Sequence, residues 1–198
     1  MSPPVPAISP DWLERALGGQ AEAFGPVVEA NQAAVFNLCL RMLGDPEQAE
    51  DAAQETFLRA FRRLQGYDPG RPIRTWLLSI AAHHCVDRLR RRAILRFEPI
   101  GDFEPPSSHG NPEPTVLRTE TERETRRLLE KLDPLERAIV TMRYWHDLPL
   151  EEIAAAVGKS PQAVRTRLYR ARRRMAREMA PEPVGLDVGE SVNESPSL

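Results

Sequence analysis

The sequence predicts an all-α protein of two small helical domains joined by a Pro-rich linker, the second domain carrying a helix-turn-helix. Three observations predict it. Apolar residues recur with a helical period in most ordered segments, a proline-dense run interrupts them mid-chain, and a short helix, a Gly turn and an arginine-rich helix follow one another near the end.

Taken in order, residues 1–20 read as an N-terminal extension. Val27, Val28, Asn31, Val35, Leu38, Cys39 and Met42 keep helical spacing, stopped by Gly44, and Asp45-Pro46 opens the next helix. That helix places Ala49, Ala52, Ala53, Thr56, Phe57, Ala60, Phe61 and Leu64 at core-facing intervals. The run from Gly66 to Pro72 is a turn-rich loop. Trp76, Leu77, Ile80, Ala81 and Leu89 then support a third helix that runs into Arg88, Arg90, Arg91, Arg92 and Arg96. The first domain spans 21–96.

Residues 97–115 hold Pro99, Pro105, Pro106, Pro112 and Pro114 with Gly101 and Gly110, a composition suited to a linker. A second domain, 116–180, resumes near Val116. Asp133-Pro134-Leu135-Glu136 resembles a capping box, Asp at the cap and Glu three residues later, ahead of Ile139, Met142 and Trp145. From Leu150 to Val157 a short apolar helix leads to Gly158. Ser160 then caps a helix with Pro161 at its first position. On that helix Val164, Leu168, Ala171 and Met175 share one face. Gln162, Arg165, Thr166 and Tyr169 share the opposite one, as required of a helix that enters a DNA major groove. Residues 181–198 are acidic and Pro/Ser-rich, and read as a disordered tail.

The net charge of −2 conceals segregation. Residues 1–57 carry nine acids against Arg15 and Arg41, whereas 148–180 carry Lys159 and seven arginines against three acids. Two basic patches suit phosphates, and the acidic front suits another partner. No apolar run approaches the roughly 20 residues that span a bilayer, and the start lacks the basic-then-apolar order of a secretory signal. The two cysteines, Cys39 and Cys85, show no metal-ligand spacing, so a reducing, cytoplasmic setting is expected. His83, His84, Cys85 and Asp87 invite a metal reading, but adjacent helical residues point apart and do not converge on one ion. No P-loop or Ser-His-Asp pattern stands out.

Three segments carry a family resemblance: Leu38 to Ala60, Arg74 to Arg92, and Tyr144 to Arg174. Their order and spacing resemble a group IV (extracytoplasmic-function) bacterial sigma factor over roughly residues 20–178. The resemblance implies a non-enzymatic promoter-specificity subunit of RNA polymerase, with no cofactor or metal. It places Asp51, Gln54, Glu55 and Phe57 on the clamp of the largest polymerase subunit. Tyr67, Arg74, Trp76 and His83 would capture a base flipped from the melted downstream element, and Arg88, Arg90, Arg91 and Arg92 would hold its phosphates. The family commonly has Asn where this chain has His83, and Trp76 also reads as an ordinary core aromatic. Gln162, Arg165, Thr166, Arg167, Tyr169, Arg170 and Arg173 would contact the upstream duplex element, with Arg172 and Arg174 also available for phosphates. An anti-sigma factor that occludes both domains is the further partner implied, with no insertion into a membrane. Two other classes fit parts of the pattern. One is an operator-binding dimeric regulator with a sensor as its front domain, which leaves the Asp51-to-Phe57 and Arg74-to-Arg92 matches unexplained. The other is a metal-dependent DNA hydrolase using Asp51, Glu55, His83 and Asp87.

Overall fold

The computed structural model describes residues 8–97 and 120–179. Of the expected linker, 97–115, Phe97 falls within them as the last residue of a helix; the rest of it, residues 116–119 and the acidic tail lie outside. Eight α-helices make up the described residues: α1 (Trp12–Leu17), α2 (Gly25–Leu43), α3 (Pro46–Arg62), α4 (Ile73–Phe97), α5 (Glu120–Glu130), α6 (Pro134–Trp145), α7 (Leu150–Val157) and α8 (Pro161–Met179). Short 3₁₀ turns at Ala21–Phe24 and Leu64–Gly66 complete them.

The boundaries follow local chemistry. Gly44 ends α2 at φ 75°, a left-handed conformation that costs a side-chain-bearing residue but not glycine, and its N–H donates to the Leu40 carbonyl. Asp45 then accepts from the Gln48 N–H and caps α3 at 2.9 Å. Asp133 accepts from the N–H groups of Leu135 and Glu136 at the start of α6. Gly158, at φ 63°, turns α7 into α8, whose first turn is capped by Ser160 accepting from the Ala163 N–H at 3.2 Å. Each of these caps stands at its predicted position.

Helices α2, α3 and α4 pack on one another around Val35, Leu38, Met42, Leu77 and Leu78, all fully buried. Cys39 of α2 and Cys85 of α4 meet inside this core as free thiols. Their mutual hydrogen bond and burial push the Cys39 thiol far above its ordinary pKa. Residues 8–20, expected as an extension, add α1 to this domain through Trp12, Leu13 and Ala16. Phe61, expected on the core face of α3, is partly exposed and packs at a tilt against Phe24, ring centroids 5.6 Å apart.

In the second domain, α8 lies across α6 and α7, and Leu129, Leu132, Val140 and Ala171 form a small separate cluster. The two domains do not stand apart. α6 packs on α2 and α4, and α7 packs on α4, so that Ile139, Met142, Ile153 and Val157 belong to the same apolar cluster as the first-domain core.

Polar bonds cross this seam. Arg137, 7% exposed, donates from Nη1 to the Met42 carbonyl at 2.6 Å. That carbonyl lies in the last turn of α2, where helical C=O groups lack intrahelical donors. Thr75 donates to Glu152 Oε2 at 2.6 Å, and Ser79 donates to the Ala156 carbonyl at 2.9 Å. The Arg41 guanidinium stacks over Trp145, 4.1 Å from the ring centroid.

His146 is buried at the same seam, with Arg74 Nη2 3.4 Å from its Nδ1. Burial, reinforced by Arg74 and Arg41 and opposed only by Asp147, pushes its pKa down to about 4. In an unfolded chain the ring titrates near 6.5. Below that pH the unfolded state takes up a proton that the folded state refuses, so stability falls until about pH 4. His146→Gln should remove this component, on the order of 1–2 kcal/mol between pH 7 and pH 5. Thermal unfolding at the two pH values checks it, and equal losses in both proteins would contradict the assignment.

Candidate nucleic-acid interface

Three groups of predicted residues occupy three distinct surfaces. On α3, Asp51, Gln54 and the half-exposed Glu55 line up with Leu58, at the i, i+3, i+4 and i+7 spacing of one helical stripe. Glu55 accepts from Arg59 Nε at 2.7 Å, and that hydrogen bond holds its carboxyl below the ordinary range. Phe57 turns instead toward the core and is half-buried. The exposed apolar group beside the carboxylates is Leu58, at 53%. Helical spacing from Asp51 leads to Leu58, which the sequence reading did not single out.

The second surface is an open cleft of about 710 Å³ on α4 and its approach. Trp76, Ser79, Ile80, His83 and Asp87 line one wall, with Arg59, Arg63 and Gly66 opposite. Positions 76, 80, 83 and 87 recur at helical spacing, which gathers an indole, an aliphatic side chain, an imidazole and a carboxylate on one stripe. His83 bonds through Nδ1 to the Ser79 carbonyl at 2.8 Å. A neutral ring held this way keeps its proton on Nδ1 and presents Nε2 as an acceptor.

Tyr67 stands behind this cleft rather than in it. Its hydroxyl donates to the Arg71 carbonyl at 2.7 Å, and its ring packs on Trp76 at 5.0 Å between centroids. Burial raises its phenol pKa, helped by Asp68. Trp12 closes the other side of Tyr67 at 5.9 Å and touches Phe24 at 6.1 Å. Arg74 points away from the cleft, to His146 at the seam. Arg90 lines a smaller cavity of about 170 Å³ with His83, Asp87, Ala138, Val157 and Lys159. Arg91 and Arg92 are exposed, and Arg88 is half-buried. The cleft therefore unites Trp76 and His83 from the predicted set and adds Arg59, Arg63, Ser79 and Asp87. Arg59 and Arg63 went unread because they belong to the preceding helix and its cap, brought opposite α4 only by the tertiary turn.

The third surface is α8. Gln162, Arg165, Thr166, Tyr169, Arg170 and Arg173 are all exposed, while Val164 and Ala171 are buried. Thr166 donates to the Gln162 carbonyl at 3.0 Å, and Arg173 lies 5.8 Å from the centre of the Tyr169 ring. Arg167 is half-buried and reaches Asp133 Oδ2 at 3.8 Å, tying α8 to the start of α6. Arg174 does the same toward the buried Glu136 Oε2, a 3.2 Å charge contact without hydrogen-bond alignment. Among the described residues, Arg165, Arg170, Arg172 and Arg173 make no ion pair.

A helical core with an α4 cleft and a solvent-facing α8 matches known proteins on both halves. Sigma-70 region 2 matches residues 27–94, and sigma-70 region 4 matches residues 122–175. The RNA polymerase sigma factor CnrH of Cupriavidus metallidurans is 32% identical, over 85% of this chain and 95% of its own length. The chain belongs to the ECF sigma factors. The ECF sigma factor SigW of Bacillus subtilis is 28% identical over 84% of this chain and 94% of that protein. In three dimensions, CnrH in complex with the cytosolic domain of CnrY aligns with a TM-score of 0.62 and 25% identity, over 87% of this chain and 97% of that one. A sigma factor acts in transcription initiation as a DNA-binding specificity subunit without catalysis of its own. In this sigma factor the family match begins at residue 27, so α1 and Trp12 lie ahead of it.

Trp12→Ala should cost about 2 kcal/mol, from lost burial and two aromatic contacts. Amide exchange in the variant should rise first in 64–72, the loop that Trp12 backs through Tyr67. A rise spread evenly over α2, α3 and α4 would show that Trp12 stabilises the domain without steering the loop.

Proposed function

We propose that this sigma factor directs RNA polymerase to promoters by reading two elements, a melted downstream strand on the α4 cleft and an upstream duplex on α8. The observation that carries the reading is the cleft itself. It sets Trp76 and Ile80 beside His83, with Arg59 and Arg63 opposite. An unstacked base offers a π-face and a hydrogen-bonding edge, and its backbone offers phosphates; the cleft supplies an apolar wall, an imidazole acceptor and two guanidinium groups for them. Tyr67 then acts by holding Trp76. Arg90, Arg91 and Arg92 continue along α4 as phosphate contacts.

On α8, Arg165, Thr166 and Tyr169 would meet base edges, with Gln162, Arg170 and Arg173 at their flanks. Direct reading of bases needs donors and acceptors on a helix narrow enough for the major groove, and α8 presents them on the face opposite its packed residues. Asp51, Gln54 and Glu55, with Leu58 as the apolar contact, would dock on the clamp of the largest polymerase subunit. Carboxylates around an apolar anchor suit a basic partner surface. Binding energy alone then assists strand opening. The alignment with CnrH in complex with the cytosolic domain of CnrY supports restraint of this chain by an anti-sigma factor.

The direct test combines the purified chain with core RNA polymerase and a promoter library. Initiation from a defined subset is expected; absence of polymerase binding would overturn the reading. Arg165→Ala should weaken upstream-element binding by about 1–3 kcal/mol, and unequally across sequences. A uniform loss on all duplexes would make Arg165 a phosphate contact. His83→Asn should change the preferred base in the downstream element, measured on the same library, and an unchanged preference would place His83 outside the recognition site.

A further inference from the structure

The outer face of α8 carries positive charge that the rest of the fold leaves unanswered. Arg165, Arg170, Arg172, Arg173 and Arg177 are exposed along it, and none pairs with a carboxylate among the described residues. Arg170 and Arg173, and Arg173 and Arg177, stand three and four residues apart, the spacings at which like charges on a helix repel. Tyr169 and Met179 add exposed apolar surface to the same helix.

Residues 180–198 follow α8 directly. They hold Glu182, Asp187, Glu190 and Glu194 and no Lys, Arg or His, with Leu186 and Val188 set among the acids. Pro181 and Pro183 lack the N–H that would extend α8, and Gly185 and Gly189 take either sign of φ at little cost. Such a sequence is suited to turn back along the helix it leaves.

We propose that the acidic segment 180–198 docks on the arginine face of α8 in its own chain, a tethered substitute for DNA phosphates that the upstream duplex must displace, granted the reading of α8 as the helix that meets that duplex.

The chain is long enough. From Arg177 back to Arg165, α8 runs about 18 Å at the helical rise per residue. An extended chain covers that distance in about six residues. A reversal within 180–186 therefore leaves the stretch from Asp187 to Glu194 able to pass every cation from Arg177 to Arg165. The contact also needs little intrinsic affinity. A short flexible tether holds the two at an effective concentration on the order of millimolar, so a peptide affinity in that range already keeps the face covered much of the time. Single exposed carboxylate–guanidinium contacts are weak and screened by salt, which suits an occupant that must yield. A duplex offers phosphates to the same cations and adds base contacts that the segment lacks. The exposed Arg91 and Arg92 of α4 are the rival site for these acids, but continuity of the chain favours α8.

Docking is tested in the full chain with a nitroxide at Ser191→Cys; the native Cys39 and Cys85 are buried and do not compete for label. Amide signals of residues 165–177 should broaden in the free chain. The broadening should vanish when Glu182→Gln, Asp187→Asn, Glu190→Gln and Glu194→Gln are combined, and when a random-sequence DNA duplex is added to saturation. By fluorescence anisotropy, that combined variant should bind the duplex about fivefold more tightly than the parent, the gain expected when the uncovered fraction rises from about a fifth to near unity. A control variant makes the same change in net charge on exposed acids of the first domain, Glu14→Gln, Glu22→Gln, Glu29→Gln and Glu47→Gln. Its affinity should change by less than about twofold, because exposed charges away from the contact are screened.

Unbroadened α8 signals in the free chain would overturn the docking. Broadening of residues 88–97 instead would place the segment on α4 and overturn it as well. Broadening in an isotope-labelled chain mixed with a separate nitroxide-bearing chain would make the contact one between two copies. Equal affinity gains in the two variants would reduce the segment to bulk charge, and broadening that survives saturation with duplex would show that DNA does not displace it. Failure of the α8 reading shows separately, as duplex affinity that Arg165→Ala leaves unchanged. Docking then still registers as broadening, while displacement by the duplex is overturned with that reading.

Discussion

Everything in this chain depends on one helix being shared three ways. Around the circumference of α4, Leu77, Ala81 and Cys85 enter the first-domain core. Thr75, Ser79, Ala82 and Val86 turn toward the second domain, and Trp76, Ile80, His83 and Asp87 form the cleft wall. With 3.6 residues per turn, three stripes exhaust the available faces. No stripe can change without disturbing a neighbour, because each is bounded by residues one position away. The core stripe fixes the helix's rotation, with Leu77 and Leu78 fully buried in one cluster with Leu38 and Met42. A loosely held α4 would rotate, and core, cleft and seam would all lose register.

How far the sequence was readable follows from the range of the forces involved. Caps are local, and Asp45, Asp133, Ser160, Gly44 and Gly158 were all identifiable from a few neighbouring residues. Faces of a single helix are nearly as local, so the division of α8 into packed Val164 and Ala171 and exposed Arg165 and Tyr169 was legible. Relations between helices were not. Nothing in the neighbourhood of Arg137 announces that its partner is a carbonyl of α2, ninety-five residues away in sequence. The arginines of α8 look alike in a row, yet Arg167 and Arg174 lie against Asp133 and Glu136 while their neighbours do not. Trp12 carried no periodic signal because α1 is only six residues long, too short for a helical repeat to show.

Charge is arranged in the same layered manner. The carboxylates of α3 form one outer face, and the guanidinium groups of α8 another. Between them, the cations of the seam are spent on internal partners: Arg41 on Trp145, Arg74 on His146 and Arg137 on Met42. A net charge of −2 thus averages over an acidic front, the basic end of α4, the basic α8 and an acidic tail. Long-range attraction of nucleic acid to such a molecule is local to α8 and the exposed end of α4, and it weakens with salt as phosphate contacts do.

The meeting of Cys39 and Cys85 inside the first domain has a chemical consequence of its own. Thiol reagents attack the thiolate, and burial together with the shared hydrogen bond suppresses that form at Cys39. Both sulfurs are sealed by the helices that hold Leu38 and Ala81. An alkylating probe in solution thus meets a silent protein while the three-helix core is intact, and two reactive groups once it comes apart. The chain carries its own internal clock of core opening, written in the only two sulfhydryls it possesses.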